Sequence, residues 1–301
     1  MVSPPFLVPG DNIGLVAPGR KVSAQDVEAA QQIFRAWKWN VVVAQNLHSN
    51  KHNYLAGLDV ERISDFQQML DNPGIKAIVC ARGGYGTTRI LDDLDFSTLL
   101  NNPKWIVGFS DVTALHMKLF SLGISSVHGT MPILFSKPES KTSIEKLRDI
   151  LLGQSVPISA QPNKLNRYGQ ATAQVIGGNL SLIVDAIGTR NDPDTKGKIL
   201  VLEEIDEYMY KVDRMLMHLK RAGKLDNLAG LVIGYMTDIK EPEISFGEMI
   251  EKVILSKLSG QTFPVAFNFP IGHENPNLPW IHGGTMTLTV DDMGARLFKP
   301  S

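Results

Sequence analysis

Residues 105–120 read WIVGFSDVTALHMKLF, a short apolar run followed directly by a helical pattern. The run WIVG predicts a strand buried on both faces, because such strands are continuous apolar segments rather than alternating ones. The residues from Val112 to Leu122 predict a helix. Gly108 allows a sharp turn between them, so Ser110 is predicted at the corner where a strand passes into a helix.

The same alternation of strand and helix fills the chain before this stretch. It is typical of βαβ units and predicts an α/β fold with a parallel sheet covered by helices on both faces. We expect Ser23, Asp59 and Thr142 to cap helices through their side-chain oxygens. The predicted strands are Ile13–Ala17, Val41–Ala44, Ala77–Cys80 and Trp105–Val107, and the further helices are Ala24–Trp37, Val60–Leu70 and one ending near Leu152.

A polar, turn-rich stretch at residues 153–171, GQSVPISAQPNKLNRYGQA, predicts a crossing between two domains. The 301 residues are enough for two cores of ordinary size. We place the domains at residues 1–160 and 161–301. In the second half, strands are predicted at Lys198–Leu202, Leu228–Gly234, Val265–Phe267 and Met286–Val290, and helices at Val212–Ala222 and Phe246–Leu258.

The balance of charge restricts the partners. With a formal net charge of −1, the chain has no broad basic surface for nucleic acid or an anionic membrane, so a small molecule or peptide substrate is favoured.

The first residues do not form a signal peptide and no run reaches the roughly 18 apolar residues of a membrane span, so a cytoplasmic protein is expected. The single cysteine, Cys80, excludes internal disulfides and paired-cysteine zinc motifs, and is expected to be a buried strand residue.

Ser110 is the candidate nucleophile. At a strand-to-helix corner its hydroxyl would stand clear of the sheet, and the Asp111 amide would point to where an oxyanion forms. The loop ARGGYG, residues 81–86, follows another strand of the same sheet, so Gly83 or Gly84 could supply a second amide donor. The alternatives are that Ser110 only caps the helix and that the loop is an ordinary tight turn. Its glycine spacing does not fit a dinucleotide fingerprint.

A nucleophilic serine needs a base, and the chain has seven histidines. His273, in a loop shaped by Pro270 and Gly272 after an apolar strand, is favoured, and His282 is the alternative. Of the other five, His116 and His218 in helices are interpreted as structural. His48 and His52 lie in a polar loop, and His128 at a strand end could support the site without being the base.

The third candidate is an acid that orients the base. The segment KILVLEEIDEY ends a strand with an acidic cluster, so Glu203 or Glu204 could accept a hydrogen bond from the imidazole. Alternation along a strand turns only one of them inward. On these grounds both remain open, together with the reading that the cluster is a solvated turn.

Several segments in one order over nearly the whole chain resemble the LD-carboxypeptidase family, the murein tetrapeptide carboxypeptidases, whose relatives include microcin C immunity proteins. These segments are GDNIGLVAPGR, YLAGLDVERISDFQQMLDNPGIKAIVCARGGYG, PKWIVGFSDVTALH, VHGTMP, IGGNLSLI, ILVLEEIDEYMYKVDRML and FPIGH.

The resemblance implies a Ser-Glu-His triad of Ser110, Glu203 and His273, with oxyanion donors at Asp111 and the Gly83–Gly84 pair. It implies a flavodoxin-like amino-terminal domain that carries the serine. A smaller α/β carboxyl-terminal domain of the swivelling β/β/α type would carry the other two, with catalysis in the cleft. No metal or cofactor is implied.

The activity implied is that of a serine carboxypeptidase that hydrolyses an L-to-D peptide bond and releases the terminal D-alanine of murein tetrapeptide during cytoplasmic cell-wall recycling. A homodimer is implied as well. Arg82 is a candidate for binding the substrate's terminal carboxylate, with a structural arginine as the alternative reading. Two other functions remain open: an immunity-type peptidase that cleaves a peptidyl nucleotide, and a protein that binds a small ligand without reacting.

The chain departs from the family pattern at three positions. Gly19 stands where a serine is usual, and Val112 and Thr130 replace residues that are often isoleucine and proline. None belongs to the implied triad, so the departures bear on specificity more than on chemistry.

Overall fold

The apolar runs of the first half become strands of one sheet. The structure is a computed structural model that describes residues 1–300. It divides into two units, the first formed by Met1–Gln154 with Leu278–His282 and the second by Ser155–Asn277 with the residues from Gly283 onward. Elements are numbered in chain order through both units.

The first unit contains a six-stranded, mainly parallel sheet. Its strand order is β11-β5-β4-β3-β1-β2, in which β1 to β5 run parallel and β11 pairs antiparallel with β5. The order β2-β1-β3-β4-β5 is that of flavodoxin-like doubly wound sheets, which bind ligands at the carboxyl ends of their strands. The strands are β1 Asn12–Val16, β2 Asn40–Val43, β3 Ile75–Cys80, β4 Trp105–Gly108, β5 Ser126–His128 and β11 Trp280–His282.

Helices of the first unit follow the predicted alternation. The Ser23 cap is confirmed, because its hydroxyl and the Asp26 carboxylate bond each other's backbone amides at 3.2 and 2.7 Å. The caps predicted at Asp59 and Thr142 are wrong: α2 is preceded by Leu58, and α6 begins one residue before Thr142. The helices are α1 Ala24–Ala36, α2 Asp59–Asp71, α3 Thr87–Ile90, α4 Ser97–Asn101, α5 Thr113–Ser121 and α6 Lys141–Leu151.

A mixed seven-stranded sheet forms the second unit, in the order β10-β9-β8-β7-β12-β13-β6. Strands β7 to β10 are parallel neighbours, whereas β12, β13 and β6 pair antiparallel. The strands are β6 Ile158–Ala160, β7 Gly169–Asn179, β8 Ile199–Ile205, β9 Gly230–Thr237, β10 Val265–Ala266, β12 Thr285–Asp291 and β13 Gly294–Phe298. The helices are α7 Leu180–Ala186, α8 Met209–Arg221 and α9 Ile250–Ser256.

The predicted α/β class with a mainly parallel first sheet is confirmed by this architecture. The turn-rich stretch 153–171 also holds β6 and the start of β7. Within residues 1–300, none of the helices has the length and apolar character needed to span a bilayer.

Candidate active site

Ser110 lies at the corner between β4 and α5. The strand ends at Gly108, a 3-10 turn covers Ser110–Val112, and α5 begins at Thr113. Ser110 has a φ of 62°, which is uncommon for a residue with a side chain and marks local backbone strain. Gly108 cannot be replaced without movement, because a Cβ atom there would lie 2.8 Å from the Val112 methyl groups. The corner therefore has the geometry of a nucleophile elbow.

The loop after β3 lies against this corner. A Cβ atom at Gly83 would lie 3.2 Å from Ser110 Cβ and 3.4 Å from the Asp111 amide nitrogen. Gly84 has a φ of 97° and packs on Arg20, whose Cβ would be 2.9 Å from a Cβ at position 84. The backbone of the glycine pair thus flanks the serine and the first amides of the turn, where amide donors for an oxyanion are needed.

The Asp111 side chain has a contact that the sequence did not predict. Its buried carboxylate accepts the Thr87 amide at 2.9 Å and so links the corner to the end of the glycine loop. Burial raises the pKa of the Asp111 carboxyl, and the hydrogen bonds from Thr87 oppose part of that rise. The only sequence signal was an acidic residue inside an otherwise apolar segment.

Arg62 of α2 is a second buried group that sequence reasoning missed. Its guanidinium donates to the Pro18 and Gly86 carbonyls and pairs with the Asp59 carboxylate. One side chain therefore ties the loop after β1 to the loop after β3. This pairing also explains why Asp59 does not cap α2, since its carboxylate binds Arg62 and Arg89 instead.

Arg82 follows β3 and is only partly exposed. Its guanidinium donates to the Lys21 carbonyl at 3.3 Å. Burial is the main cause that lowers the pKa of Arg82, and the positive charge of Arg20 lowers it further. The negative charge of Asp26 opposes both effects. The side chain thus lies near the residues that lead into α1.

In the second unit, Glu203 and His273 form a hydrogen-bonded pair. Glu203 Oε2 lies 2.7 Å from His273 Nδ1, and the carboxylate is fully buried. The register of β8 against β9 shifts between Leu202 and Glu204, so Glu203 sits at a bulge, a feature that redirects side chains. Burial acts to lower the pKa of His273, but the charge and hydrogen bond of Glu203 outweigh it and raise the pKa above its usual value.

Two glycines allow the loop of His273 to approach Glu203. Gly272 has a φ of 123°, and a Cβ atom there would lie 3.0 Å from Glu203 Oε2. A Cβ atom at Gly234 of β9 would lie 2.4 Å from the Ile271 carbonyl oxygen. The loop is further held by the Gly272 amide, which donates to Asn277 Oδ1 at 3.1 Å.

Glu204 has a different task. Its carboxylate accepts Asn179 Nδ2 at 2.9 Å, and the Ser181 amide and hydroxyl at 2.8 and 2.6 Å. These donors belong to the start of α7, so Glu204 holds the amino end of that helix. Of the two adjacent glutamates, only Glu203 contacts the His273 ring through a hydrogen bond in this structure.

The alternative base, His282, lies in β11 of the first unit and is fully buried. Its ring stacks on His116 at 5.4 Å, and burial, followed by the charges of His116 and His128, lowers its pKa well below the usual value. Cys80 is buried as predicted. Residues 1–300 hold no group of three or more histidine, cysteine or acidic side chains arranged to bind a metal ion.

Two features of this chain are typical of α/β serine hydrolases. One is a serine on a strained strand-to-helix corner, and the other is a buried glutamate hydrogen-bonded to a histidine. The sequence matches two protein-family models. Residues 13–129 match the LD-carboxypeptidase N-terminal domain, and residues 172–288 match the LD-carboxypeptidase C-terminal domain. The chain belongs to the LD-carboxypeptidase family, a family of serine hydrolases.

Three relatives illustrate the similarity. A Bacillus subtilis (strain 168) protein named "Probable murein peptide carboxypeptidase" is 33% identical over 91% of this chain and 88% of its own length. The crystal structure of muramoyltetrapeptide carboxypeptidase from Oxalobacter formigenes matches with a TM-score of 0.86 and 28% identity, over 96% of this chain and 99% of that one. The MccF-like protein from Bacillus anthracis str. Ames shares the fold, with a TM-score of 0.88 and 23% identity over 100% of both chains.

Proposed function

We propose that the protein is a serine carboxypeptidase that hydrolyses the L-to-D bond of murein tetrapeptide and releases the terminal D-alanine. The observation that carries this proposal is the hydrogen bond of 2.7 Å between His273 Nδ1 and Glu203 Oε2. In a member of a serine hydrolase family, this bond orients the histidine as a base. The substrate follows the names of the relatives, two of which are called murein peptide or muramoyltetrapeptide carboxypeptidases.

In this mechanism His273 accepts the Ser110 proton through Nε2 as the Ser110 oxygen attacks the scissile carbonyl carbon. The Glu203 carboxylate accepts a hydrogen bond from Nδ1–H and, remaining ionised, stabilises the imidazolium that forms. The imidazolium then protonates the leaving amine of D-alanine as the carbon–nitrogen bond breaks. Water, deprotonated by the same histidine, hydrolyses the acyl-enzyme and restores Ser110.

The amides of Asp111 and of Gly83 or Gly84 are proposed to hold the oxyanion. Support comes from the contact between Gly83 and the Ser110 corner, where a Cβ would lie 3.4 Å from the Asp111 nitrogen. Removing one such donor typically lowers turnover by about 10²- to 10³-fold. Arg82 is proposed to receive the substrate's terminal carboxylate, for which the support is its charge and its place beside the glycine pair.

We extend the proposal to the domain roles implied by the family resemblance. The nucleophile is assigned to residues 1–160, and the base and its carboxylate to residues 161–301. The same resemblance supports a homodimer and a role in cytoplasmic recycling of the cell wall. Light scattering of the purified chain tests the dimer, since a monomeric mass removes that part of the proposal.

The decisive experiment is release of free D-alanine from an LD-configured tetrapeptide, with the LL-configured peptide as control. The proposal expects hydrolysis of the LD peptide alone and its loss in Ser110→Ala with the fold intact. A triad without its serine retains only roughly 10³- to 10⁴-fold catalysis over water, so turnover falls by several orders of magnitude. Cleavage of a peptidyl nucleotide without D-alanine release would favour the immunity-type activity instead.

A further inference from the structure

His116 of α5 is a buried histidine that the proposed mechanism does not use. Its side chain is fully buried, and both ring nitrogens have partners. Nε2 lies 2.9 Å from the Gly108 carbonyl oxygen, and Nδ1 lies 2.8 Å from Ser126 Oγ. Gly108 ends β4 two positions before Ser110, so this ring is bonded to the backbone that leads into the corner.

The partners fix the tautomer of this ring. A carbonyl oxygen can only accept, so Nε2 carries the hydrogen and donates a hydrogen bond to the Gly108 oxygen. Nδ1 is then an acceptor and receives the hydroxyl hydrogen of Ser126. Burial lowers the pKa of His116 to about 4, against an opposing effect of the Gly108 bond, so the ring is neutral near physiological pH. A neutral ring with both nitrogens engaged serves as a donor rather than as a base.

The carbonyl that His116 holds is fixed from two sides. The Gly129 amide, just beyond β5, donates to the same Gly108 oxygen at 3.0 Å. Both lone pairs of the carbonyl are therefore used, and the peptide plane after Gly108 cannot rotate without breaking a buried hydrogen bond. Loss of the His116 donor removes one of the two hydrogen bonds that the Gly108 oxygen accepts.

The need for such an anchor follows from the backbone beyond it. Phe109 is extended, with φ and ψ of −151° and −172°, and Ser110 then takes a φ of 62°. Backbone strain of this kind persists only when the surrounding contacts hold the residue in its conformation. The His116 ring is itself held by stacking on His282, with ring centres 5.4 Å apart and planes 19° apart.

We propose that His116 is a positioning residue, which donates from Nε2–H to the Gly108 carbonyl, with its ring held at Nδ1 by Ser126, and thereby aims the Ser110 hydroxyl. This inference rests on the proposed role of Ser110 as the nucleophile. His116 does not touch the substrate and transfers no proton. Its contribution is to turnover, since a nucleophile misplaced by about 1 Å can lose roughly 10²-fold in rate.

The test compares two substitutions that differ in one donor. His116→Gln can place an amide N–H where Nε2–H stood, whereas His116→Leu fills the space without a donor. For His116→Leu we expect kcat to fall roughly 10- to 100-fold with KM unchanged, and for His116→Gln a loss of only a few-fold. Circular dichroism and the melting temperature show whether each variant is folded.

Ser126→Ala gives an independent test, because it removes the hydroxyl that bonds Nδ1 and so loosens the hold on the orientation of the His116 ring. A fall in kcat with unchanged KM is expected here too. The inference is overturned if folded His116→Leu keeps wild-type kcat, or if the Gln and Leu variants lose kcat equally. Should His116→Leu not fold, Ser126→Ala decides, and wild-type kcat in that variant overturns the inference.

Failure of the proposed function gives a different result. The wild-type chain is first treated with a fluorophosphonate and then assayed for D-alanine release. No labelling of wild-type Ser110 would refute the nucleophile itself, whatever His116 does. Labelling without D-alanine release would refute the substrate only, and the labelling rates of the His116 variants would still report how Ser110 is aimed.

Discussion

The Asp111 carboxylate accepts the backbone amide of Thr87 at 2.9 Å, in a site where the aspartate is only 1% exposed. One residue thus connects the turn that carries Ser110 with the loop that carries the glycine pair. Both proposed oxyanion donors are arranged by this contact, because the Asp111 amide belongs to the first segment and Gly83 to the second.

Replacing this carboxylate should weaken catalysis more than binding. In Asp111→Asn the amide group can accept only through its one oxygen, so the loop of Gly83 is held less firmly. We expect kcat to fall by roughly 10- to 100-fold, within the range seen when an oxyanion donor is lost. Steady-state kinetics with the LD tetrapeptide check this, with the exposed Asp93→Asn as a matched control. Equal kinetics in both variants would contradict the assignment.

The roles of the adjacent residues Glu203 and Glu204 should be distinguished by the pH–rate profiles of their glutamine variants. In Glu203→Gln the negative charge that raises the pKa of His273 is gone, while the burial that lowers it remains. Since the base must be neutral, the acid limb of kcat/KM should move to lower pH, and kcat should fall by roughly 10²- to 10⁴-fold.

Glu204→Gln is the matched control for that experiment. Its side chain holds the start of α7, so the expected effect is a lower melting temperature with the His273 acid limb nearly in place. A pH–rate profile of both variants decides the matter. The assignment of Glu203 fails if its variant retains the acid limb and rate of the wild type.

Gly234→Ala should separate the base from its carboxylate. The added methyl group would lie 2.4 Å from the Ile271 carbonyl oxygen and 3.2 Å from Glu203 Cβ, so the loop before His273 must move. We expect a stability loss of about 1–3 kcal/mol, as for other overpacked sites, together with a fall in kcat. Denaturant unfolding and kinetics check both, with Gly74→Ala as the control. Wild-type kcat in a folded Gly234→Ala would contradict the close approach.

His116 should also make stability depend on pH. Its pKa is near 4 when folded and near 6.5 when unfolded, so only the unfolded chain binds the proton between these values. The contribution of the neutral ring is present above the unfolded pKa and is lost as pH falls toward the folded pKa. The rings of His282 and His128 face it and add charge of the same sign when protonated.

The measurement compares wild type with His116→Gln, so that the contributions of other groups cancel. Buried carboxyls such as Asp111, whose pKa is raised, make stability change with pH in the opposite direction. From about pH 7.5 to about pH 5, the unfolding free energy of wild type minus that of His116→Gln should decrease by about 2 kcal/mol. A difference that is constant with pH would show that the ring is not held neutral.

The strands of the first sheet were predictable because parallel strands buried on both faces leave continuous apolar runs such as AIVC at 77–80. The strand β7, GQATAQVIGGN, was missed because its first half is half-exposed and built from small polar residues. This strand is stabilised by pairing with β12, more than a hundred residues later in the chain, and a local sequence pattern does not reveal such pairing.

At the site, local pattern named Ser110 as the candidate nucleophile but left Glu203 and Glu204 open. Their separation depends on the register of β8 against β9 and on a loop some seventy residues further along. The same limit applies to Arg62, whose contacts with the Pro18 and Gly86 carbonyls come from three separate segments. Only folding brings these atoms together, and no spacing in the chain encodes them.

Strand β11 pairs Trp280 with His128 and returns the chain to the first sheet after it has built most of the second. A recombinant fragment ending at residue 154 would therefore lack an edge strand, leaving the backbone of β5 open to pair with other molecules and His116 without the ring it stacks on. Ribosomal synthesis meets the same constraint, since the sheet that carries Ser110 cannot be completed until residues 280–282 of the 301-residue polypeptide have emerged.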